Sequence, residues 1–279
     1  MGQLSSYAQN KWLNHILKQG TANFTVPAVV ALAFHTGDPG ITGANNECAD
    51  ANNYARKSCK TNFADAAIVS TGVYRKIIQK TDIVMNMASG SWGASVTHWS
   101  LWDSVTIGGG NCLAVGSFSA GKVIAANQTP KVLATEIVIS VPINNGMTDY
   151  LALEMLDHTF KNSDAGFTSP ANLYAALGGA IGSPFLDTGV WTYEVSDSGT
   201  AYVRQAIAWT VSTNTATNTG DILFPIATAS LGTVGQWALA DGNTKGANNM
   251  LLYGDWTGVA IAADDQVKIP AGDLDITLT

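Results

Sequence analysis

The chain is poor in charged residues and has no long apolar run. Only 13% of its 279 residues are charged, and the longest apolar run, residues 27–34, is far shorter than the roughly 20 residues of a membrane-spanning helix. No basic and apolar leader opens the chain, so we expect neither a membrane anchor nor an export signal. An apolar content of 46% argues against a disordered protein.

Cysteine and histidine are also scarce, at three and four residues. No two histidines have the spacing of a zinc site and no Cys-x-x-Cys pair is present, so we expect no metal. The cysteines Cys48, Cys59 and Cys112 all lie in the first half of the chain. We expect buried free thiols, with a Cys48–Cys59 disulfide as the alternative if the protein works outside a cell.

The usual catalytic motifs are missing as well. No Gly-x-Ser-x-Gly elbow occurs, and Gly108-Gly109-Gly110 does not join a strand to a helix as a nucleotide-binding loop would. Two Asp-x-Gly tripeptides start at Asp187 and Asp197, but an aspartic-protease dyad takes its carboxylates from two separate lobes. We therefore predict no catalytic residue, no cofactor and no enzymatic activity.

What the chain does contain is a duplication. Seven residues of the first half recur 143 positions later: Tyr7, Leu13, His15, Phe24, Thr25, Pro27 and Ala28 match Tyr150, Leu156, His158, Phe167, Thr168, Pro170 and Ala171. Further matches, with small changes in spacing, are Tyr54 and Arg56 with Tyr202 and Arg204, and Asp103 and Asn111 with Asp241 and Asn249. We predict a first domain over residues 1–143, a linker over 142–148 and a second domain over 147–279.

The pattern within each copy predicts a mainly β fold: two tandem β-sandwich, jelly-roll-like domains, each with a short N-terminal α-helix. Helical spacing of apolar residues follows Ser6 and Asp149, which we take as the helix caps. Later segments alternate with a period of two. This alternation assigns four residues to the repeat core: Trp99, Leu101, Trp237 and Leu239.

Charge divides the two copies. Residues 1–147 hold 10 Lys and Arg against 7 Asp and Glu, a balance of +3, whereas residues 148–279 hold 4 against 14, a balance of −10. Six basic residues fall within 56–80, where the first copy is longer: Arg56, Lys57, Lys60, Arg75, Lys76 and Lys80. This basic insertion is either a contact surface for an acidic partner or an ordinary solvated loop. Nucleic acid is a poor partner for a chain with a pI near 4.9.

Tryptophan adds two further interface candidates. Trp102 and Trp191 have no tryptophan counterpart in the other copy, so they are freer than the repeated tryptophans to lie at a surface.

The ordered motifs resemble a family of tailed-bacteriophage virion proteins described as tail-fibre or head-decoration proteins. The resemblance lies in Leu13-Asn14-His15 and Leu156-Asp157-His158, in the following Phe-Thr-x-Pro-Ala, in Tyr54-Ala55-Arg56 and Tyr202-Val203-Arg204, and in the terminal strands. It covers nearly the whole chain, twice, and implies a non-enzymatic structural component of the virion.

Two roles follow from this resemblance. We expect first a capsid decoration or cement protein that stabilises the major capsid shell, because compact repeats without heptads or β-helix periodicity suit docking on a shell. The alternative is a tail-associated adaptor, or a tail-fibre or receptor-binding protein, whose tryptophans contact a host surface glycan. The expected partners are the major capsid protein or other virion subunits and further copies of this chain.

Overall fold

The computed structural model describes residues 3–17, 24–63, 67–68, 74–142, 147–161, 167–179 and 191–278. The fold is mainly β with one helix near the start of each copy, as the sequence predicts. Among these residues, neither helix combines the length and the apolarity needed to cross a membrane. The arrangement of the sheets as a β-sandwich stays a prediction.

The first copy contains one helix and ten strands. They are β1 (Gln3–Leu4), α1 (Ser6–Leu17), β2 (Ala31–His35), β3 (Lys57–Ser58), β4 (Ala67–Ile68), β5 (Tyr74–Ile78), β6 (Ile83–Val84), β7 (Val96–Trp102), β8 (Cys112–Lys122), β9 (Lys131–Val132) and β10 (Val138–Pro142). A single turn of 3₁₀-helix covers Lys60–Asn62.

The second copy repeats this order. Its elements are α2 (Asp149–Phe160), β11 (Tyr174–Gly179), β12 (Gln205–Ala206), β13 (Trp209–Ser212), β14 (Thr215–Asn218), β15 (Ile222–Leu223), β16 (Gly232–Ala240), β17 (Met250–Ile261), β18 (Lys268–Ile269) and β19 (Asp275–Thr277).

The main sheets of the two copies share one antiparallel order, except that the edge strand β1 of the first copy has no counterpart among the described strands of the second. In the first copy the order is β1-β8-β7-β2-β3, and in the second it is β17-β16-β11-β12. The register also repeats, because Phe34 lies opposite Trp99 and Leu177 lies opposite Trp237. Two smaller sheets match as well: β10-β5-β4 corresponds to β19-β14-β13, and the β6–β9 pair to the β15–β18 pair.

In the described part of region 56–80, each strand has a counterpart in the second copy, whereas the 3₁₀ turn over Lys60–Asn62 has none among the described residues. The hairpin of β4 and β5 occupies the place that β13 and β14 occupy in the second copy, and both hairpins pair with the last strand of their copy. Residues 64–66 and 69–73 lie outside the described part of the chain.

The side chains assigned to the repeat core are all buried. Trp99, Leu101 and Leu239 expose at most 1% of their surface and Trp237 exposes 9%. They lie on β7 and β16, which are flanked by strands on both sides, and their alternation places them on one face of each sheet.

The two long hairpins extend beyond the predicted limits. The sequence predicts strands over 112–118 and 250–255, but β8 continues to Lys122 and β17 to Ile261. The extension occurs because Lys122 pairs with Val96 at the start of β7, and Ile261 pairs with Gly232 at the start of β16. In the described part of the chain, no strand pairs with the outer edge of either extension.

The helix caps lie one residue earlier than predicted. The Ser5 hydroxyl, not that of Ser6, accepts a hydrogen bond from the Ala8 backbone N–H at 3.2 Å and donates to the Cys112 carbonyl. The Thr148 hydroxyl accepts from the Leu151 N–H at 3.2 Å and donates to the Met250 carbonyl at 2.8 Å. Each buried hydroxyl thus joins a helix N-terminus to the first residue of a long strand, which an exposed cap could not do.

The chain forms two compact units that do not coincide with the sequence repeats. One unit comprises Met1–Gln9, Thr25–Val141 and Leu153–Phe167, and the other comprises Asn10–Phe24, Pro142–Ala152 and Thr168–Thr279. The boundary passes through both helices. The domain limits drawn from the duplication stay a prediction, and residues 143–146 of the predicted linker lie outside the described residues.

Replacing Thr148 with valine is expected to destabilise the protein by about 2 kcal/mol, because it removes the cap and leaves the Met250 carbonyl without its donor. Urea unfolding followed by circular dichroism measures the change. Thr148→Ser retains the hydroxyl and serves as the control, with an expected loss below about 1 kcal/mol. Equal losses in the two variants would contradict the role given to the hydroxyl.

Candidate functional site

A Glu–Arg–Tyr network, in which the arginine and tyrosine are buried and the glutamate is partly exposed, lies beside the main sheet of the first copy. The Arg56 guanidinium donates from Nε and Nη2 to the two carboxylate oxygens of Glu47, both at 2.8 Å. The Tyr54 hydroxyl donates to Glu47 at 3.2 Å and accepts from the Phe34 backbone N–H at 3.0 Å. Nη1 of Arg56 donates to the Gly109 carbonyl at 2.8 Å, so the network ties the β7–β8 turn to β2.

The second copy contains the same network. Arg204 donates to both carboxylate oxygens of Glu194 at 2.8 Å and to the Gly242 carbonyl at 2.8 Å. The Tyr202 hydroxyl donates to Glu194 at 3.0 Å and accepts from the Leu177 N–H at 3.0 Å. Burial, followed by the nearby glutamate, raises the pKa of Tyr54 and of Tyr202 above the ordinary tyrosine value.

This network places Arg56 in the interior. Its side chain is 1% exposed, its charge is balanced by Glu47, and its guanidinium lies 3.8 Å from the ring centroid of Trp102. Arg56 is therefore a structural residue of the fold, and its charge is not presented to a partner.

The other basic residues of region 56–80 divide into two groups. Lys60 is buried and donates from Nζ to the Pro27 carbonyl, and Arg75 is also buried. Lys57 and Lys80 are exposed and Lys76 is half-buried. A contact surface of positive charge in this region consequently depends on Lys57, Lys76 and Lys80, half of the predicted set.

Trp102 and Trp191, the tryptophans predicted at an interface, lie in the core and not at a surface. Trp102 is 7% exposed and Trp191 is 4% exposed. Their clusters are equivalent: one contains Ala33, Trp102, Cys112 and Val115, and the other contains Ala176, Trp191, Ala238, Ala240 and Met250. A glycan contact cannot be built on these two rings, because neither presents a face to solvent.

Trp191 fills, in the second copy, the core space that Trp102 fills in the first. Trp102 pairs with Ala31 in the first copy, and the equivalent pair in the second is Ala240 with Tyr174, so alanine occupies the tryptophan position there. Trp191 fills the space from a different part of the chain. It lies so close to Gly178 that a Cβ on that glycine would be 2.0 Å from the indole ring.

A groove of about 620 Å³ lies beside the extension of β8. Phe118 and Lys122 line it from the strand, Val123 lines it just beyond the strand's end, and Lys131, Leu133 and Glu136 line it from the segment around β9. The Phe118 ring is half-buried and meets Phe34 edge-on, with 5.6 Å between ring centroids.

A groove of about 420 Å³ lies at the same place in the second copy, beside the extension of β17. Trp256 and Val259 line it from the strand, and Gln266, Lys268 and Asp273 line it from the segment around β18. The Trp256 ring is half-buried, and its indole N–H donates to the Val234 carbonyl at 3.1 Å.

The two grooves correspond residue by residue in their main features. Sequence order and strand register match Phe118 with Trp256, Lys131 with Lys268, and Glu136 with Asp273. One charge differs: Lys122 pairs with Val96 in the first copy, whereas Val259 pairs with the equivalent Val234 in the second. The duplicated fold thus carries two related grooves of different charge.

An exposed ion pair fixes the lysine of each groove. Lys131 Nζ lies 2.5 Å from Asp82, and Lys268 Nζ lies 2.5 Å from Asp221. The lysine hydrogen bond, with a second bond from a backbone N–H, holds the pKa of each aspartate below its usual value.

The cysteines are buried free thiols, and Cys48 and Cys59 do not form a disulfide in the structure. Burial raises the pKa of the Cys48 thiol to about 11 and of the Cys59 and Cys112 thiols to about 12. In the described ranges, no three His, Cys, Asp or Glu side chains are grouped as metal ligands.

A protein family described as Podophage GP4 fiber I protein gp80 matches residues 3–140 and, again, residues 146–277. The chain belongs to this family. The two adjacent matches show that the gp80 unit is present in two tandem copies, and they make the chain a structural protein of a phage virion. A search of curated proteins gives no match.

Sequence reasoning missed several residues that the gp80 fold brings together. Glu47 and Glu194 are equivalent, but seven positions separate Glu47 from Tyr54 and eight separate Glu194 from Tyr202, so a fixed spacing does not align them. Phe118 and Trp256 differ in type. The available signal was their equal distance of two residues from the matched glycines Gly116 and Gly254.

Replacing Arg204 with methionine is expected to destabilise the second copy by about 3–5 kcal/mol, because the buried Glu194 carboxylate loses its counter-charge. Urea unfolding gives the free energy of unfolding, and Lys131→Met, which removes an exposed ion pair, should leave that free energy nearly unchanged. The double variant E194M/R204M should recover part of the loss. A single variant as stable as the control would contradict the role of the network.

Replacing Lys268 with methionine is expected to raise the pKa of Asp221 towards the ordinary carboxyl value, because its main hydrogen-bond donor is removed. Because its pKa is lowered in the folded state, Asp221 stabilises the fold at pH values above the ordinary carboxyl pKa. This stabilisation is lost as the pH falls through the pKa of Asp221 in the folded protein. The loss of stability on acidification should therefore be smaller in the variant. An NMR titration of the side-chain carboxyl carbons measures the pKa of Asp221. Asp82, paired with Lys131, is the internal control and should not change.

Proposed function

We propose that this protein is a component of the phage tail fibre and that it acts by binding, without catalysis. The observation that carries the proposal is the family match, which covers both copies and whose description names a fibre protein. The architecture supports it, because two copies of one unit on one chain present two related grooves.

A capsid decoration or cement protein is the second candidate. The charge division favours it, since a balance of +3 in residues 1–147 and −10 in residues 148–279 could orient the chain on a shell. Of the six basic residues predicted within region 56–80, Lys57, Lys76 and Lys80 remain accessible for such a contact. We rank this role second because the family description names a fibre.

In either role the proposed partners are other virion subunits and further copies of this chain, in a homo-oligomer. Exposed apolar residues at matching positions support such contacts: Val84 and Met87 in the first copy, Leu223 and Ile226 in the second, are 45–56% exposed. Exposed apolar side chains that recur in this way are typical of protein interfaces. Host surface glycan is the proposed target of the fibre.

The location of the protein on the particle tests the proposal. Purified virions labelled with a gold-conjugated antibody against this chain are expected to carry the label on the tail, with few copies per particle by quantitative mass spectrometry. The major capsid subunit in the same digest provides the reference. Label spread over the head, with a copy number proportional to the capsid subunit, would assign the decoration role and overturn the fibre proposal.

A further inference from the structure

We propose that the grooves beside Phe118 and Trp256 are carbohydrate-binding sites, in each of which a sugar ring stacks on the aromatic side chain. The inference deepens the fibre proposal and depends on it only for the source of the sugar, a host surface glycan. The buried Trp102 and Trp191, which the sequence favours for this contact, take no part in it.

Recurrence is the first support. β8 after Phe118 and β17 after Trp256 are largely exposed, yet each of these strands has one half-buried aromatic ring at the same position, and that ring lines a groove. The two copies have diverged in charge, in tryptophan placement and in loop length, but not in this feature. A ring required only for packing would be expected within the core, as Trp99 and Trp237 are.

The second support is the fixed orientation of the ring. The Trp256 indole N–H is satisfied by the Val234 carbonyl at 3.1 Å, which anchors one edge of the ring and leaves part of its surface exposed. The face of an aromatic ring carries partial negative charge and attracts the C–H groups that cover one face of a pyranose. A pre-oriented ring therefore loses little conformational entropy when a sugar binds.

The third support is the polar surround. Asp273 and Glu136 occupy matching positions in the two grooves and are exposed. One Glu136 oxygen accepts from the Leu133 N–H at 3.0 Å, which orients the carboxylate. Carboxylates accept hydrogen bonds from neighbouring hydroxyls, so each groove offers an acceptor to a sugar.

Size and charge agree with this ligand class. Volumes of about 420 and 620 Å³ fall within the range of small-molecule sites. Lys122 adds a positive charge to the first groove where the second has Val259, so the first groove should favour acidic sugars and the second neutral ones.

The test uses the purified full chain and saturation-transfer NMR with glucose, galactose, mannose, rhamnose, N-acetylglucosamine, N-acetylgalactosamine, glucuronic acid and galacturonic acid. At least one neutral sugar is expected to bind with a dissociation constant of about 1 mM, typical of a single weak site. Trp256→Ala should weaken neutral-sugar binding at least about tenfold, and Trp256→Phe less, because it keeps a ring. Phe118→Ala should weaken uronic-acid binding.

Val203→Ala is the matched control, because Val203 is an exposed apolar residue of the same copy that does not line the groove. Its binding should equal that of the parent protein. Asp273→Asn, which alters one exposed group, keeps the proposal testable if Trp256→Ala fails to fold by circular dichroism. It should weaken neutral-sugar binding severalfold.

Three results would overturn the proposal: binding of no sugar in the panel, binding that Trp256→Ala and Asp273→Asn leave intact, or self-association that Trp256→Ala abolishes. The last would show that the groove holds a strand of a second copy. Each is distinct from failure of the fibre role, because tail labelling is measured on virions and sugar binding on the isolated chain.

Discussion

The bidentate pairing of a buried arginine with a glutamate, which is buried in the second copy and 13% exposed in the first, holds each copy of the gp80 unit together. Glu47 and Glu194 lie in the loop after the first core strand of their copy. Arg56 and Arg204 bind these glutamates and also donate a hydrogen bond to a carbonyl in the turn of the long hairpin. Taking both charges out of water is costly unless nearly every polar atom is satisfied. The requirement is met in both copies by a tyrosine and a turn carbonyl, so the loops around the network are fixed relative to the sheet.

The need to satisfy this ion pair explains which parts of the structure could be predicted from the sequence and which could not. The core positions were predictable because β7 and β16 alternate with a period of two, and because matched residues fix equivalent places in the two copies. The Tyr-x-Arg motif was visible, but its glutamate partner was not. An ion pair between loops depends on tertiary proximity, which sequence spacing does not reveal. For the same reason Arg56 reads as a surface charge in the sequence and is a buried one in the structure.

The grooves were less predictable still. They arise where β8 and β17 continue past the predicted ends, and that continuation depends on partners at the starts of β7 and β16. The aromatic residue that lines each groove is Phe118 in one copy and Trp256 in the other, so identity alone does not pair them. Trp102 and Trp191 also escape a comparison by sequence position, because they lie at unmatched positions. They nevertheless fill equivalent core volumes in the two copies, since the core of each copy must be closely packed.

The capping hydroxyls have a further consequence for the order in which the protein opens. Ser5 and Thr148 each bond at once to a helix N-terminus and to the first residue of a long core strand. The start of the helix therefore cannot fray without releasing a hydrogen bond from the strand. In each copy, the first turn of the helix and the first residues of the long strand should therefore unfold together as one cooperative unit. Their backbone amides should show similar protection from hydrogen exchange. In a virion protein under mechanical load, these paired hydrogen bonds would require the helix and the strand to separate together in the first step of unfolding.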